Sequence, residues 1–578
     1  HVSGVVSRGL PLLSSLQSAF SHSFPPSLAL LLQRVLRSEM RHCLSLSVSL
    51  LSLAFLASAD LFTAIADMQK MLGSEADVAD VINEYIQSEY DRLNKLRQYA
   101  KEYTTRNADA AEVGPEFVTN PINAYLLIKR LTTEWGTVEE MMKNNEAQRF
   151  IQNITQRRVD NEIKFPQEED LSGAATALLR LQDTYKLDTH DLADGKIHGD
   201  KVGERLTAHD CYEIGRTAYN ARDYYHTLSW MQEALNRIEH EKPKTVSEEE
   251  ILEYLAYSLY QQGNVRRALA LTKKLYAIAP NHPRAKGNVK WYEDMLENKD
   301  VSGELPPVTN KRDANDGIPE RDAYEALCRG EKKPIDPAEE AKLYCYLKRD
   351  RPFLLLAPIK VEILRFDPLA VIFKGILSDY EVAVVKNLAS PRLRRATVQN
   401  SKTGELETAS YRISKSAWLK GEEHPVIERI NRRLDDMTNL DMSTAEELQV
   451  ANYGLGGHYD PHYDFARKEE KNAFKSLGTG NRIATVLFYM SQPERGGATV
   501  FNHLDTAIFP TMYDALFWYN LKRNGEGDLR TRHAACPVLL GVKWVSNKWI
   551  HERGQEFRRP CGLTEDAAEK FVGDLTPY

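Results

Sequence analysis

Apolar positions change their spacing along the chain. From Leu61 to about Arg106 they fall at Leu61, Ile65, Met68, Met71, Leu72, Val78, Val81, Ile82, Tyr85, Ile86, Tyr90, Leu93, Leu96 and Tyr99, the spacing of long amphipathic helices. Such a stripe serves a bundle core or a helix-pairing surface equally well. Across 206–305 the helical period continues, now organised as a repeat. Residues 306–340 are Pro-rich, charged and non-periodic, a linker by composition. Beyond them, Ser378-Asp379-Tyr380-Glu381 forms a capping box that opens a helix through Leu388, and Pro425 to Leu434 reads as another amphipathic helix. From Leu448 the pattern shifts to short β-rich runs: Leu448 to Tyr453, Arg482 to Met490, Ala498 to Phe501, Ala515 to Tyr519 and Lys543 to Ile550. Gly and Pro turns separate them, which suggests a double-stranded β-helix or jelly roll.

Within 206–305, Ala218-Tyr219-Asn220-Ala221-Arg222-Asp223 aligns with Leu259-Tyr260-Gln261-Gln262-Gly263-Asn264 at an offset of 41. A polar loop around Lys242 to Glu249 absorbs the excess over the roughly 34 residues of a tetratricopeptide unit, and Ala234, Ala268 and Pro280 stand at turn-packing positions. Stacked helix pairs of this kind make concave surfaces. On one helix Tyr254, Tyr257 and Tyr260 recur every three residues, and the next brings Arg284, Asn288 and Trp291. Ile251, Leu252, Leu255 and Leu259 already supply the first helix with a core face, which leaves the tyrosine stripe for a groove. Aromatic faces suit a polyproline II peptide, which has little ordering entropy to lose on docking.

With 578 residues, 42% hydrophobic and 27% charged, the chain has material for about three globular units. Its net charge of −7 offers no electrostatic footprint for nucleic acid and no polybasic membrane patch. The candidate chemistry lies in His-x-Asp pairs. On a strand such a pair shares one face, and a second His from a distant strand completes a two-His-one-carboxylate triad that leaves positions open on iron(II). Four such pairs occur. His198/Asp200 lies in a polar Gly-containing loop, with no strand expected around it. His503/Asp505 leaves too few residues before His533 for the strands between the two ligand strands of a rolled sheet, and reads as a surface hairpin. His458/Asp460 and His462/Asp464 stand 75 and 71 residues before His533. Both fit, because the two His share a face and only Pro461 interrupts the run. Ten residues after His533, Lys543 emerges from an apolar run where a buried ammonium wants an anion, such as the far carboxylate of 2-oxoglutarate.

Several stretches together resemble the catalytic alpha subunits of collagen prolyl 4-hydroxylases. They are Asn452-Tyr453-Gly454 with Pro461-His462-Tyr463-Asp464-Phe465, Gly478 to Thr485, Gly496-Gly497-Ala498-Thr499-Val500-Phe501, Thr531 to Val538 and Trp544 to Glu556. The resemblance runs from about residue 60 to 565. It implies His462, Asp464 and His533 as ligands of Fe(II), Lys543 as the 2-oxoglutarate anchor, and His551 as a further active-site His that orients the co-substrate, with His458/Asp460 a neighbour. It also implies L-ascorbate as a cofactor and 4-hydroxylation of X-Pro-Gly prolines with release of succinate and CO2. The implied partners are collagen-like polyproline II peptides, bound by the tyrosine stripe, and protein disulfide isomerase as beta subunit in an assembly of two alpha and two beta chains. The amino-terminal helices would pair alpha subunits. The rival expectations are a related lysyl or prolyl 3-hydroxylase and a non-catalytic peptide-binding repeat scaffold.

Residues 1–39 begin with His and contain no Met, as an upstream extension would. Met40-Arg41-His42, an apolar run to Phe55 and Ala57-Ser58-Ala59 read as a signal peptide over 40–59, with a mature start near Asp60. The endoplasmic reticulum lumen is the expected compartment. The six cysteines include no Cys-x-x-Cys, and the pairings Cys328 with Cys345 and Cys536 with Cys561 resemble the family's intrachain disulfides. Cys211 sits in a helical pattern as a buried thiol, and Asn153-Ile154-Thr155 is a glycosylation sequon. The expected architecture is multidomain α+β: a helical dimerisation region over 60–205, tetratricopeptide-like helices over 206–305, the linker 306–340 and a jelly-roll oxygenase domain over 341–578.

Overall fold

A computed structural model describes residues 61–573 apart from short interior stretches, of which 161–165, 297–303 and 400–405 are the longest. The expected extension, signal peptide and start at Asp60 lie outside the described residues. The amphipathic stripe forms one helix, α1 (Ile65–Val113). Val81 is buried on it while Leu72, Ile82, Tyr90 and Leu93 are exposed. Short helices follow, Asn153 standing exposed on the one over Ala147–Asp160, and lead to α2 (Glu168–Tyr185). The start of α1 and the residues just ahead of it are tied to residues 415–455. Leu455 N–H donates to the Phe62 carbonyl (3.0 Å), Lys415 pairs with Asp67 (2.6 Å), and a Cβ on Gly454 would meet the Phe62 oxygen at 2.0 Å, so only glycine admits this contact.

The repeat region comprises α3 (Ala208–Asn220), α4 (Tyr224–Ile238), α5 (Glu248–Gln261), α6 (Val265–Ile278) and α7 (Ala285–Met295). Capping boxes at Thr207/Asp210 and Ser247/Glu250 start α3 and α5. Small residues Ala218, Ala234 and Ala268 are fully buried where the helices meet, and α2 contributes Ala175 and Leu179 to the same core. Cys211 is buried there, and that burial pushes its thiol up to about 12. The His198/Asp200 loop carries a minimal two-residue hairpin, Lys196–Ile197 against Asp200–Lys201, which its polar sequence did not suggest.

The linker is not featureless. Its second half contains α8 (Arg321–Cys328), whose Tyr324, Leu327 and Cys328 pack with Leu181 and Tyr185 of α2 against Val500, Ala534 and Cys536. Beyond it a nine-stranded sheet runs β1 (Cys345–Lys348), β2 (Ile359–Phe366), β3 (Leu369–Lys374), β4 (Arg394–Arg395), β5 (Lys415–Leu419), β6 (Leu448–Tyr453), β8 (Arg482–Tyr489), β11 (Ala515–Tyr519) and β13 (Lys543–His551). Its spatial order is β1-β2-β3-β11-β8-β13-β6-β5-β4, each neighbouring pair antiparallel. A second sheet, in the order β7-β12-β9-β10, comprises β7 (Tyr459–His462), β9 (Thr499–Phe501), β10 (Thr506–Ile508) and β12 (His533–Ala535). Strand alternation divides the large sheet's side chains. Val371, Phe373, Val486, Phe488 and Phe517 face helices α9 (Asp379–Ala389) and α10 (Pro425–Thr438), whereas Ile372, Leu487, Leu516, Trp518 and Val545 face the small sheet. With both faces covered, these strands read as continuous apolar runs. The open space for chemistry lies where the two sheets part.

The pairing expected of the cysteines is overturned. Cys328 bonds to Cys536, and Cys345 and Cys561 are exposed free thiols. The reason is tertiary: α8 delivers Cys328 onto the small sheet beside Cys536, while Cys345 starts an edge strand of the large sheet and is paired along it to Glu362.

Candidate functional site

Register brings the central residues together. In the ladder between β7 and β12, His462 stands directly opposite His533, and their rings lie 4.4 Å apart, centroid to centroid. Asp464, just past the end of β7, presents Oδ1 at 3.7 Å from His462 Nε2 and Oδ2 at 3.6 Å from His533 Nε2. One ligand atom from each of the three lies within 4.8 Å of the other two, a grouping found nowhere else among the described residues.

Each of the three side chains is oriented from behind. The Nδ1–H of His462 donates to the Asp460 carbonyl (2.7 Å) and that of His533 to the Thr531 carbonyl (3.0 Å). This assignment of the tautomer leaves each Nε2 lone pair free toward the centre. Thr485 Oγ1 donates to Asp464 Oδ2 (2.8 Å), Asn520 Nδ2 to Thr485 Oγ1 (2.9 Å), and Trp518 Nε1 to Asn520 Oδ1 (2.8 Å). This buried chain fixes the carboxylate. Burial and the neighbouring His533 push His462 down to about 3, so it is a neutral ligand at neutral pH. Burial works against the Asp464 carboxylate, but His533, His462 and Arg482 hold it down to about 2. Two imidazoles and a fixed carboxylate suit iron(II) in a facial arrangement.

Lys543 opens β13 on the face that carries Val545, Asn547 and Trp549 into the same cavity, whose lining also includes Tyr453, Tyr459, Leu487, Thr499 and the three central residues. Its side chain is 1% exposed. Nζ donates to the Gly497 carbonyl (2.6 Å) and lies 5.0 Å from the Tyr453 ring centroid. Burial pushes the ammonium down to about 7, which prepares it to receive an anion. Alongside, Tyr489 Oη donates to Thr499 Oγ1 (2.9 Å).

His551 does not join them. Eight residues beyond Lys543 it shares the strand face but not the cavity. Its Nδ1 lies 2.8 Å from the Gly480 carbonyl and its Nε2 3.0 Å from Glu446 Oε1. Burial opposes the Glu446 charge, and Arg482 and His551 override it and hold the carboxyl below its ordinary range. The first His-x-Asp pair is separate too. His458 is buried against α2, and burial together with Arg180 keeps it neutral; Arg180 Nη1 reaches the Gly456 carbonyl next to it (3.4 Å). His503 and Asp505 occupy the turn between β9 and β10.

In the repeat region the tyrosine stripe is longer than its sequence spacing indicated. Ring contacts of 4.8–5.9 Å link Tyr212 to Tyr254, Tyr254 to Tyr219, Tyr219 to Tyr257, Tyr257 to Tyr260 and Tyr260 to Tyr292. Tyr292 rather than Trp291 faces this row: Tyr292 is 2% exposed and Trp291 56%. Arg284 pairs with Glu253 beside Tyr254, and Asn288 is half-buried on the last helix. Other residues that spacing passed over include Thr485 and Asn520, polar side chains inside or beside an apolar strand, which was the available signal, and Arg412, whose guanidinium lies 4.8 Å from the Tyr459 ring that stacks on His462.

The geometry agrees with comparison to known proteins. Residues 64–199 match the model of the prolyl 4-hydroxylase alpha-subunit N-terminal region, 208–298 that of the prolyl 4-hydroxylase peptide-substrate-binding domain, and 448–551 that of the 2OG-Fe(II) oxygenase superfamily. The chain is 73% identical over 526 residues to prolyl 4-hydroxylase subunit alpha-2 of Caenorhabditis elegans, covering 91% of this chain and 98% of that one. The chain belongs to the prolyl 4-hydroxylase alpha-subunit family. Other alpha subunits of that family are similar over nearly the same span: subunit alpha-1 of Caenorhabditis elegans at 57% identity (90% of this chain, 93% of that one) and subunit alpha-1 of Homo sapiens at 50% (88% and 97%). The family's oxygenase superfamily uses Fe(II) and 2-oxoglutarate, and the matched segment contains every residue of the cavity's centre together with Lys543.

Proposed function

We propose that this chain is the catalytic subunit of a procollagen-proline 4-dioxygenase, acting on X-Pro-Gly sequences of collagen-like chains. The observation that carries this reading is the convergence of His462, Asp464 and His533 in a cavity walled by Lys543, on a chain that also carries a peptide-substrate-binding domain. The two imidazoles and the carboxylate would hold iron(II). When bound, iron(II) with 2-oxoglutarate supplies the oxidation of a proline C4–H bond by O2, the co-substrate leaving as succinate and CO2. The protein's share is positional. Lys543 Nζ pairs the far carboxylate of the co-substrate, the Thr485–Asn520–Trp518 chain holds Asp464 in place, and the apolar walls formed by Leu487, Trp518 and Val545 limit water. The target proline approaches through the wider cleft outside the cavity, which Tyr411, Tyr459, Tyr463, Arg482 and Trp549 line. The tyrosine row in the repeats is the dock for the rest of the polyproline II chain.

The reading extends to L-ascorbate as reductant, to a protein disulfide isomerase beta subunit in a two-alpha, two-beta assembly, and to the endoplasmic reticulum lumen. An exposed sequon at Asn153 and a disulfide support an oxidising compartment, and the exposed apolar residues of α1 support pairing between chains. The test is to incubate the protein with a Pro-Pro-Gly peptide, iron(II) and 2-oxoglutarate and to measure succinate and hydroxyproline together. His533→Ala is expected to abolish both while peptide still binds residues 206–305. Loss of peptide binding as well would mean misfolding, and retained turnover would remove His533 from the site.

A further inference from the structure

The segment that leaves the repeat domain is bound back onto it. Between the end of α7 and the start of α8 lie 25 residues, which as a free coil would have an end-to-end distance of roughly 25–30 Å, varying widely. Within residues 305–312, Pro306, Thr309, Asn310, Lys311 and Arg312 are instead each held by the neighbouring helices. Arg267 Nε donates to the Pro306 carbonyl (2.7 Å). Asn264 grips Thr309 in both directions, its Nδ2 donating to the Thr309 carbonyl (2.6 Å) and its Oδ1 accepting the Thr309 N–H (2.7 Å). Gln262 repeats that grip two residues on: Nε2 donates to the Lys311 carbonyl (3.2 Å) and Oε1 accepts the Lys311 N–H (3.1 Å). Asn310, between the two gripped residues, donates to the Tyr225 carbonyl (2.9 Å) and Ser229 Oγ (3.0 Å) of α4. Paired amide grips at residues i and i+2 are how a receptor recognises an extended peptide backbone. None of the gripping side chains belongs to the tyrosine row, so that groove stays available.

The segment ends in a pin. Arg312 pairs with Asp183 of α2 (3.0 Å) and with Glu325 of α8 (2.7 Å). Asp183 also faces His226 of α4 (3.1 Å). The helix α8 is in turn bonded through Cys328 to Cys536, three residues beyond His533. Repeat domain, segment and oxygenase sheets are therefore joined by contacts at every step.

We propose that residues 305–312 are a built-in peptide ligand of the repeat domain that fixes the span between the tyrosine groove and the catalytic cleft. This deepens, and rests on, the function proposed above. A loose tether would raise the local concentration of prolines gradually as a substrate lengthens. A fixed span gives a threshold: a peptide too short to reach from groove to cleft gains nothing from the groove, and one long enough gains its full benefit at once.

The test compares the full chain in its purified assembly with Gln262→Ala/Asn264→Ala and, independently, with Thr309→Pro, which removes one gripped N–H without altering the repeat domain. Limited trypsin digestion read by mass spectrometry should cut after Lys311 and Arg312 at least ten-fold faster in both variants. The affinity of the repeats for a Pro-Pro-Gly peptide should stay within two-fold, and the stepwise fall of KM with peptide length should become gradual. Equal cleavage rates would overturn the clamp, and faster cleavage with an unchanged length profile would overturn its positioning role. If the wild-type protein hydroxylates no peptide, the functional reading fails while the digestion still decides whether the segment is held.

Discussion

Lys543 is an ammonium walled in by apolar groups, and its burial makes the deprotonated form accessible near neutrality. In the proposed role, pairing with the carboxylate of 2-oxoglutarate would restore the charge, and co-substrate binding would take up a proton when the pH is above about 7. The KM for 2-oxoglutarate is expected to be flat below that pH and to rise above it, by up to about ten-fold per pH unit. Lys543→Ala should raise that KM by about 10- to 100-fold at pH 7 and flatten the dependence, as initial-rate measurements across pH would show. At the other end of the cavity, Thr485→Val deletes the hydrogen bond to Asp464 with little change in volume. Metal affinity, read by titration with Fe(II) or Co(II) under anaerobic conditions, should fall about 10- to 100-fold while circular dichroism stays unchanged. An unaltered affinity would mean that Asp464 is placed by its backbone alone.

At the level of elements, the His462–Asp464–His533 grouping was legible because its residues sit in or beside strands whose alternation and Gly-Pro boundaries are strongly marked; Leu448–Tyr453 and Ala515–Tyr519 fall where the pattern put them. The choice between His458 and His462 was not open to spacing, since both share parity. In the ladder His462 stands opposite His533, whereas His458 is buried near Arg180 of α2. Strands β2 and β3 carry no such signal of function, and α8 was hidden in a segment whose Pro and charge content read as linker. That omission misdirected the disulfide, for without α8 nothing brings Cys328 to Cys536, and short loop closures stand as the natural pairing. Cys328→Ser/Cys536→Ser should lower unfolding free energy by about 2–4 kcal/mol, whereas Cys345→Ser/Cys561→Ser should leave it unchanged. Non-reducing peptide mapping that joined Cys328 to Cys345 would reverse this assignment. The tyrosine row was half visible: spacing on α5 found Tyr254, Tyr257 and Tyr260, but Tyr212, Tyr219 and Tyr292 join them only through packing of neighbouring helices.

At the scale of the whole molecule, a buried charged network connects repeats, α2 and the segment after the repeats. His226, 2% exposed, opposes its own burial by pairing with Asp183 and Asp223, which raise it to about 9. The Tyr225 ring meets it edge-on at 4.7 Å between centroids, and Arg312 shares Asp183. Because the folded value lies above the ordinary 6.5, this network's contribution is complete below about pH 6.5 and is lost as the pH rises through about 9. Thermal unfolding followed at pH 6.5 and pH 9.5 should show a lower midpoint at the higher pH, a difference that His226→Gln reduces. The larger claim is that the jelly roll, the repeats and their connection act as one proline-hydroxylating machine. Its most direct test is mass spectrometric sequencing of a Pro-Pro-Gly peptide after reaction with the wild-type protein, iron(II), 2-oxoglutarate and O2. The expected result is 4-hydroxyproline immediately before glycine, one succinate per hydroxyl group; 3-hydroxyproline, or succinate with an unmodified peptide, would contradict it.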